Sequence, residues 1–129
     1  FICGQAGPGS ANMVLGLMAA KLAYSPVLVI TGLPGTADMG KDTFQEIDQH
    51  TLFLPVSKKV MTVTRPERVP EFLLEGYRTA NSGRRGPVVV QIPRDLLHTE
   101  IEAKIPADQQ VQANSYGALF SNKIAVKCP

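Results

Sequence analysis

The sequence is poor in the side chains that most often carry chemistry by themselves. Its 129 residues include two cysteines, two histidines and no tryptophan. Neither CxxC nor HxxxH occurs, so no zinc site is indicated. His50 and His98 lie in polar surroundings with no cysteine beside them, which assigns both to the surface. No Ser/His/Asp constellation can be placed. Asp38, Asp42, Glu46 and Asp48 cluster, but their spacing departs from that of a calcium loop, and they read as solvated loop and helix-start carboxylates. GxxxxGK[ST] and GxGxxG are both missing, which removes most support for a Rossmann-like nucleotide binder. A net charge of +2, with no basic stripe interleaved with aromatics, argues against nucleic acid. No apolar run is long enough for a bilayer and no signal-peptide pattern is visible, so no membrane is expected and a cytoplasmic setting is the default.

What is present begins with Gly7-Pro8-Gly9-Ser10-Ala11-Asn12, between the apolar run Phe1 to Cys3 and an apolar helical pattern. Strand, glycine turn and helix follow in that order. Glycine permits positive φ and close backbone approach, and Pro8 stiffens the corner. Ser10 is expected to cap the helix through its hydroxyl. A plain tight turn and a ligand-binding turn fit these six residues equally well. Phe1 to Gln5 lacks alternation, which predicts a strand buried on both faces. Cys3 would then be a reduced core thiol, with a Cys3–Cys128 disulfide left open by sequence.

The pattern from Ala11 to about Tyr24 is apolar on nearly every face and carries one charge, Lys21. Such a helix is covered by protein on more than one side, either as a central core helix or in a subunit interface. Val27 to Thr31, Lys59 to Val63 and Val88 to Ile92 read as short parallel strands. Gly32 to Thr43 reads as a loop at the carboxyl end of a central strand, where function concentrates. Ile47 to Leu54 suits about two helical turns. Pro66 and Pro70 suit a helix start, and Val69, Phe72, Leu73, Gly76, Tyr77 and Ala80 recur at helical spacing. Glu67, Arg68, Glu71, Glu75 and Arg78 take the opposite, solvated face. Gly83 suits its end, with Arg84 and Arg85 near the negative helix terminus. Alternating strands and helices predict an α/β fold, a three-layer parallel sheet with helices on both faces and right-handed crossovers. From His98 the character changes, and residues 98–129 read as a linker or the start of a following domain. The chain opens with Phe1, inside an apparent strand, and is therefore read as N-terminally truncated, a piece of something longer.

Four segments in register carry a resemblance: Gly7 to Asn12; Pro26 to Gly32; Phe44-Gln45-Glu46; and Ser82 to Val88 running on to Ile92-Pro93-Arg94-Asp95. Over about residues 1–97 the chain resembles the pyrimidine-binding domain of thiamine-diphosphate enzymes of the acetolactate synthase group. The resemblance implies thiamine diphosphate with Mg2+ as cofactors, leaving FAD undecided. It implies decarboxylation of a 2-keto acid with carboligation or acyl transfer to an acceptor, as a transferase or lyase. It implies that Pro8 and Asn12 line the pyrimidine pocket, that Gly7 and Gly9 shape the turn, that Phe44 walls the pocket and that Gln45 projects toward the reacting centre. It places the Ala11–Tyr24 helix in the interface of a homodimer or tetramer. It also assigns the diphosphate and its metal to another domain, which overrules an anion at this helix start.

Some of the family's parts are missing here. The glutamate that activates the cofactor ring lies upstream of Phe1 in the family, and Glu46 and Glu71 do not occupy its position. The metal-binding GDG…N motif is absent, and the Gly32 to Gly40 loop lacks the paired arginines common in acetolactate synthases. The chain alone is therefore expected to be inactive, as part of a larger enzyme. The alternative is a non-catalytic α/β interaction or regulatory module that dimerises with a full-length homologue.

Overall fold

The computed structural model describes residues 1–102, so the stretch 103–129, with Cys128 and most of the expected linker, lies outside the described residues. Four parallel strands form one sheet in the order β1-β2-β4-β3. They are β1 (Ile2–Gly4), β2 (Leu28–Leu33), β3 (Lys59–Thr62) and β4 (Val88–Pro93). β4 sits between β2 and β3, with Val29 opposite Val89 and Val60 opposite Val89 from the other side. All six of its residues are buried. Its β-branched run is what a strand covered on both faces requires.

Helices cover both faces. On one side Met61, Val63, Val88, Val90 and Ile92 pack with Ala80, Phe72 and Leu73 of α4 (Val69–Asn81). On the other, Val29 and Val89 pack with Leu17 of α2 (Val14–Leu22), Phe53 of α3 (Gln49–Phe53) and Val56. A 3-10 turn, Leu54–Val56, follows α3 and places Pro55 where its missing N–H costs least. A second, Pro66–Arg68, leads into α4. The short α5 (Arg94–Leu97) follows β4 directly. The α/β layering expected from the sequence is thus present, and no helix among the described residues is long and apolar enough to cross a membrane.

Four local expectations need correction. The helix expected from Ala11 to Tyr24 starts earlier and is two elements, α1 (Pro8–Asn12) and α2, joined at Met13. It ends at Leu22 because Tyr24 turns left-handed, φ +54, while Ser25 N–H donates to Ala20 O and Tyr24 N–H to Lys21 O. This is the Schellman arrangement, with tyrosine where glycine is usual. Arg84 makes the tyrosine tenable: it stacks 4.3 Å from the ring centroid and donates to the phenol oxygen at 2.6 Å.

β1 is an edge strand, exposed at Ile2 and Cys3, so Cys3 is an exposed thiol, unpaired among the described residues, and not a buried core group. An apolar run records what the residues tolerate, and here nothing among the described residues covers them. Ser10 does not cap the helix. Gly7 holds the N-cap position without a side-chain bond, and Ser10 turns into the interior. The carbonyls at the end of α4 are met by Lys58, whose ammonium donates to Thr79 O at 2.5 Å and Ser82 O at 2.8 Å. Arg84, drawn to Tyr24, does not perform that task, although Gly83 does turn left-handed at φ +51 as expected.

Candidate functional site

The carboxyl ends of β1, β2 and β4 converge on one groove of about 260 Å3. Gly7, three residues after the end of β1, has φ +63. A Cβ at Gly7 would lie 2.4 Å from the backbone oxygen of Gln45 and about 3.1 Å from its Cα. Only glycine lets the two backbones abut in this way. Gln45 is itself left-handed, φ +65, at the third position of a turn closed by Glu46 N–H to Thr43 O at 3.0 Å. A non-glycine residue held there costs of order 1 kcal/mol or more and persists only when its surroundings fix it.

Glu46 supplies much of that fixation. Its carboxylate accepts from Gly40 N–H at 2.5 Å and Thr43 N–H at 2.9 Å. The Gly40 N–H first, then that of Thr43, holds its carboxyl below the usual range. Glu46 is therefore committed to the shape of the loop, more than the solvated carboxylate expected from sequence. Asp48 does what a helix-start carboxylate should, accepting from Thr51 N–H at the start of α3. The turn thrusts Phe44 outward, 90% exposed, and leaves the Gln45 amide half-buried and bonded to the Gln5 amide at 2.9 Å.

Beneath the turn lies a buried polar layer. The Ser10 hydroxyl donates to Gln5 O at 2.8 Å and meets the Thr31 hydroxyl in a short hydrogen bond. Gln49, fully buried at the start of α3, accepts from Thr31 at 3.3 Å and donates to Gly32 O at 2.9 Å. Across the sheet Thr31, Gln91 and Thr62 stand in register, and Thr62 donates to the Gln91 amide oxygen at 3.0 Å. The Gln91 amide nitrogen is buried without a partner among the described residues; the bonded members of the layer tie the Gly7 turn to β2 and α3.

The far side of the groove is built by the Gly32 to Gly40 loop. Asp95 in α5 accepts from Thr36 N–H at 3.0 Å and its hydroxyl at 2.5 Å, which strap the loop to the end of β4. The Thr36 hydroxyl, then its backbone N–H, holds the Asp95 carboxyl below the usual range. Asp38 and Arg94 are the charged residues lining the groove, 3.6 Å apart. Ala6, Leu33, Pro34, Thr43, Phe44 and Gln45 supply the rest.

Of the residues singled out from sequence, Gly7, Phe44 and Gln45 come together here. Pro8 opens α1 at the surface, Gly9 is half-buried beside it, and Asn12 ends α1 exposed. Gln5, Thr31, Thr36, Gln49, Arg94 and Asp95 were not given site roles. Thr31 gave a weak signal as the polar end of an apolar strand, whereas Gln49 sits in a polar stretch that conceals it. Among the described residues no three His, Cys, Asp or Glu side chains gather to hold a metal.

The donor set fits a neutral heteroaromatic ring: amides, a backbone turn that a Cβ would block, and an aromatic wall. It does not fit a diphosphate. α1 is only five residues long, and the one cation among the described residues lining the groove, Arg94, faces Asp38.

Comparison with known proteins bears on the family. Residues 1–52 match the family described as thiamine pyrophosphate enzyme, N-terminal TPP binding domain. A probable acetolactate synthase large subunit of Methanocaldococcus jannaschii is 38% identical over 111 residues, 85% of this chain and 19% of that protein. The acetolactate synthase large subunit of Corynebacterium glutamicum is 40% identical over 96 residues, 74% of this chain and 15% of that protein. A sulfoacetaldehyde acetyltransferase of Alcaligenes xylosoxydans is 39% identical over 126 residues, 98% of this chain and 21% of that protein. The chain thus spans about a fifth of the length of these curated relatives.

Proposed function

Because the chain resembles the N-terminal pyrimidine-binding domain of thiamine-diphosphate enzymes of the acetolactate synthase-like group, over part of that domain, we propose that it supplies the pyrimidine side of a thiamine diphosphate pocket. The observation that carries this reading is the abutment of Gly7 on Gln45, which joins the first turn of the chain to the Phe44-Gln45 loop. In this reading Gly7 and Gly9 shape the turn, and Pro8 and Asn12 line the ring. Phe44 walls the pocket, and Gln45 offers its amide toward the substrate. Bound thiamine diphosphate supplies an electron sink for cleavage beside a 2-keto group. The residues here bind, orient and exclude water.

The diphosphate and its Mg2+ are assigned to ligands outside this set. Glu46 stays with its loop and takes no proton-transfer role. For the whole protein we propose decarboxylation of a 2-keto acid coupled to carbon–carbon bond formation or acyl transfer. Residues 1–97 form the partial domain and 98–129 lead onward. The exposed apolar side of α2 supports a homodimer or tetramer built through this helix, since Leu15 and Leu22 are 79% and 72% exposed. The same face supports the second reading, an interaction module that pairs with a longer homologue.

Titrating the isotopically labelled 129-residue chain with thiamine diphosphate and Mg2+, followed by amide NMR, tests the first reading. Saturable shifts at Gly7, Asn12 and the Gln45 side chain are expected. Shifts confined to other residues, or none, overturn it and leave the interaction module.

A further inference from the structure

We propose that Arg94 receives the carboxylate of a small monoanionic acid entering the groove beside Gln45, exchanging Asp38 for it. The proposal rests on reading the groove as the substrate's approach, and it names the side chain that would recognise the acid.

The other arginines with partners show what a satisfied guanidinium looks like in this protein. Arg68 grips Glu71 with two hydrogen bonds, at 2.9 and 2.7 Å. Arg84 both stacks on and donates to Tyr24. Among the described residues Arg94 has only Asp38, at 3.6 Å, beyond hydrogen-bonding reach, and its side chain is 70% exposed. Its neighbour Asp95 is engaged elsewhere, each carboxylate oxygen accepting from Thr36, and it forms no ion pair with Arg94 among the described residues.

That strap nevertheless holds the groove in place around Arg94. Thr36 is tied to α5, and Asp38 N–H donates to Gly35 O at 2.8 Å within the same loop. So the guanidinium stands in a positioned groove with its planar fork unspent. This fork matches a carboxylate bidentately, which a lysine ammonium cannot do. A volume of about 260 Å3 suits a small acid, with the Phe44 ring and the Gln45 amide beside it. Asp38 sets the charge limit. One negative group displaces it from Arg94, and a second would face its carboxylate across a few ångströms.

The test follows the Arg94 Nε–H resonance of the full 129-residue chain during titration with pyruvate, without thiamine diphosphate. A saturable shift is expected. Acetone and matched chloride should leave the resonance in place. Arg94→Gln should abolish the response read at the neighbouring Gln45 amide. Asp38→Asn should tighten binding by about two- to fivefold, the scale of an exposed ion pair. Both substitutions are at exposed side chains of the groove mouth, so the fold should survive them. No saturable shift, an equal response to acetone or chloride, or an unchanged affinity in Asp38→Asn each overturns the proposal. Thiamine diphosphate binding is read separately at Gly7 and Asn12, so loss of one result leaves the other standing.

Discussion

The helices α2 and α4 lie on opposite faces of one sheet and end in opposite conditions. α4 buries Gly76 and Ala80 against the strands and turns Glu71, Arg78 and Tyr77 to solvent, with Arg68 paired to Glu71 and Lys59 to Glu75. It is finished as an outer layer. α2 buries Leu17 alone and presents Leu15, Met18 and Leu22 outward. It is fastened beneath by Lys21, which donates to Pro55 O at 2.7 Å, but nothing among the described residues lies above it. In the reading proposed above, the apolar pattern of α2 marks a middle layer. The helix is long enough to cover the sheet and too apolar to face water, and the proposed subunit interface is what would complete it.

The contrast can be broken most severely in the core beneath α2. Phe53 is fully buried and packs with Leu17, Val29 and Val89 under α2. Phe53→Ala should cost about 3–5 kcal/mol, read as a lowered urea midpoint with an unchanged slope. A loss below about 1 kcal/mol would show that the α2 layer is not packed as described.

Glycines sharpen the comparison next. A Cβ at Gly76 would come within 2.7 Å of Leu28 and 3.2 Å of Val90, so α4 sits close on the sheet. A Cβ at Gly16 in α2 would meet nothing within 4 Å. Gly76→Val should destabilise by about 1–3 kcal/mol through overpacking. Gly16→Ala should stabilise by about 0.5–1 kcal/mol through helix propensity. Thermal melts of the two variants shifting in the same direction would contradict this pair.

The smallest effect on stability falls on the outward face of α2. Leu15→Glu should change it by no more than about 0.5 kcal/mol, as for an ordinary surface site. Its effect on association should be large: sedimentation should show the wild-type chain self-associating and the variant monomeric. A monomeric wild type would remove the middle-layer account.

Much of the core was legible because it is short-range. Val27 to Thr31 and Val88 to Ile92 announce buried parallel strands by composition, and α4 announces one wet face by period. The Gly7 turn and Gln45 were legible through spacing shared with a family, but not their contact, since φ +63 against φ +65 is a tertiary fact. Thr36 and Asp95 are 59 residues apart and Gln5 and Gln45 are 40 apart, and no local pattern joins such pairs. Lys58 reached the end of α4 where Arg84 was expected because Arg84 was drawn to a left-handed tyrosine that sequence could not foresee. β1 departs from expectation for a related reason: apolar composition does not distinguish a central strand from an edge strand.

The place of β4 has a consequence for how the protein comes into being. β4 is the last of the described strands and the one on which β2 and β3 both depend, with Val29 meeting Val89 sixty residues later. Until residues 88–93 have left the ribosome, β3 has no partner among the described strands and β2 has among them only the three-residue β1. Closing loops of this length is slow, and apolar edges stay open while it happens. The nascent chain must therefore carry Val27 to Ile30 and the apolar length of α2 without the cover of β4 until that strand arrives and inserts between β2 and β3.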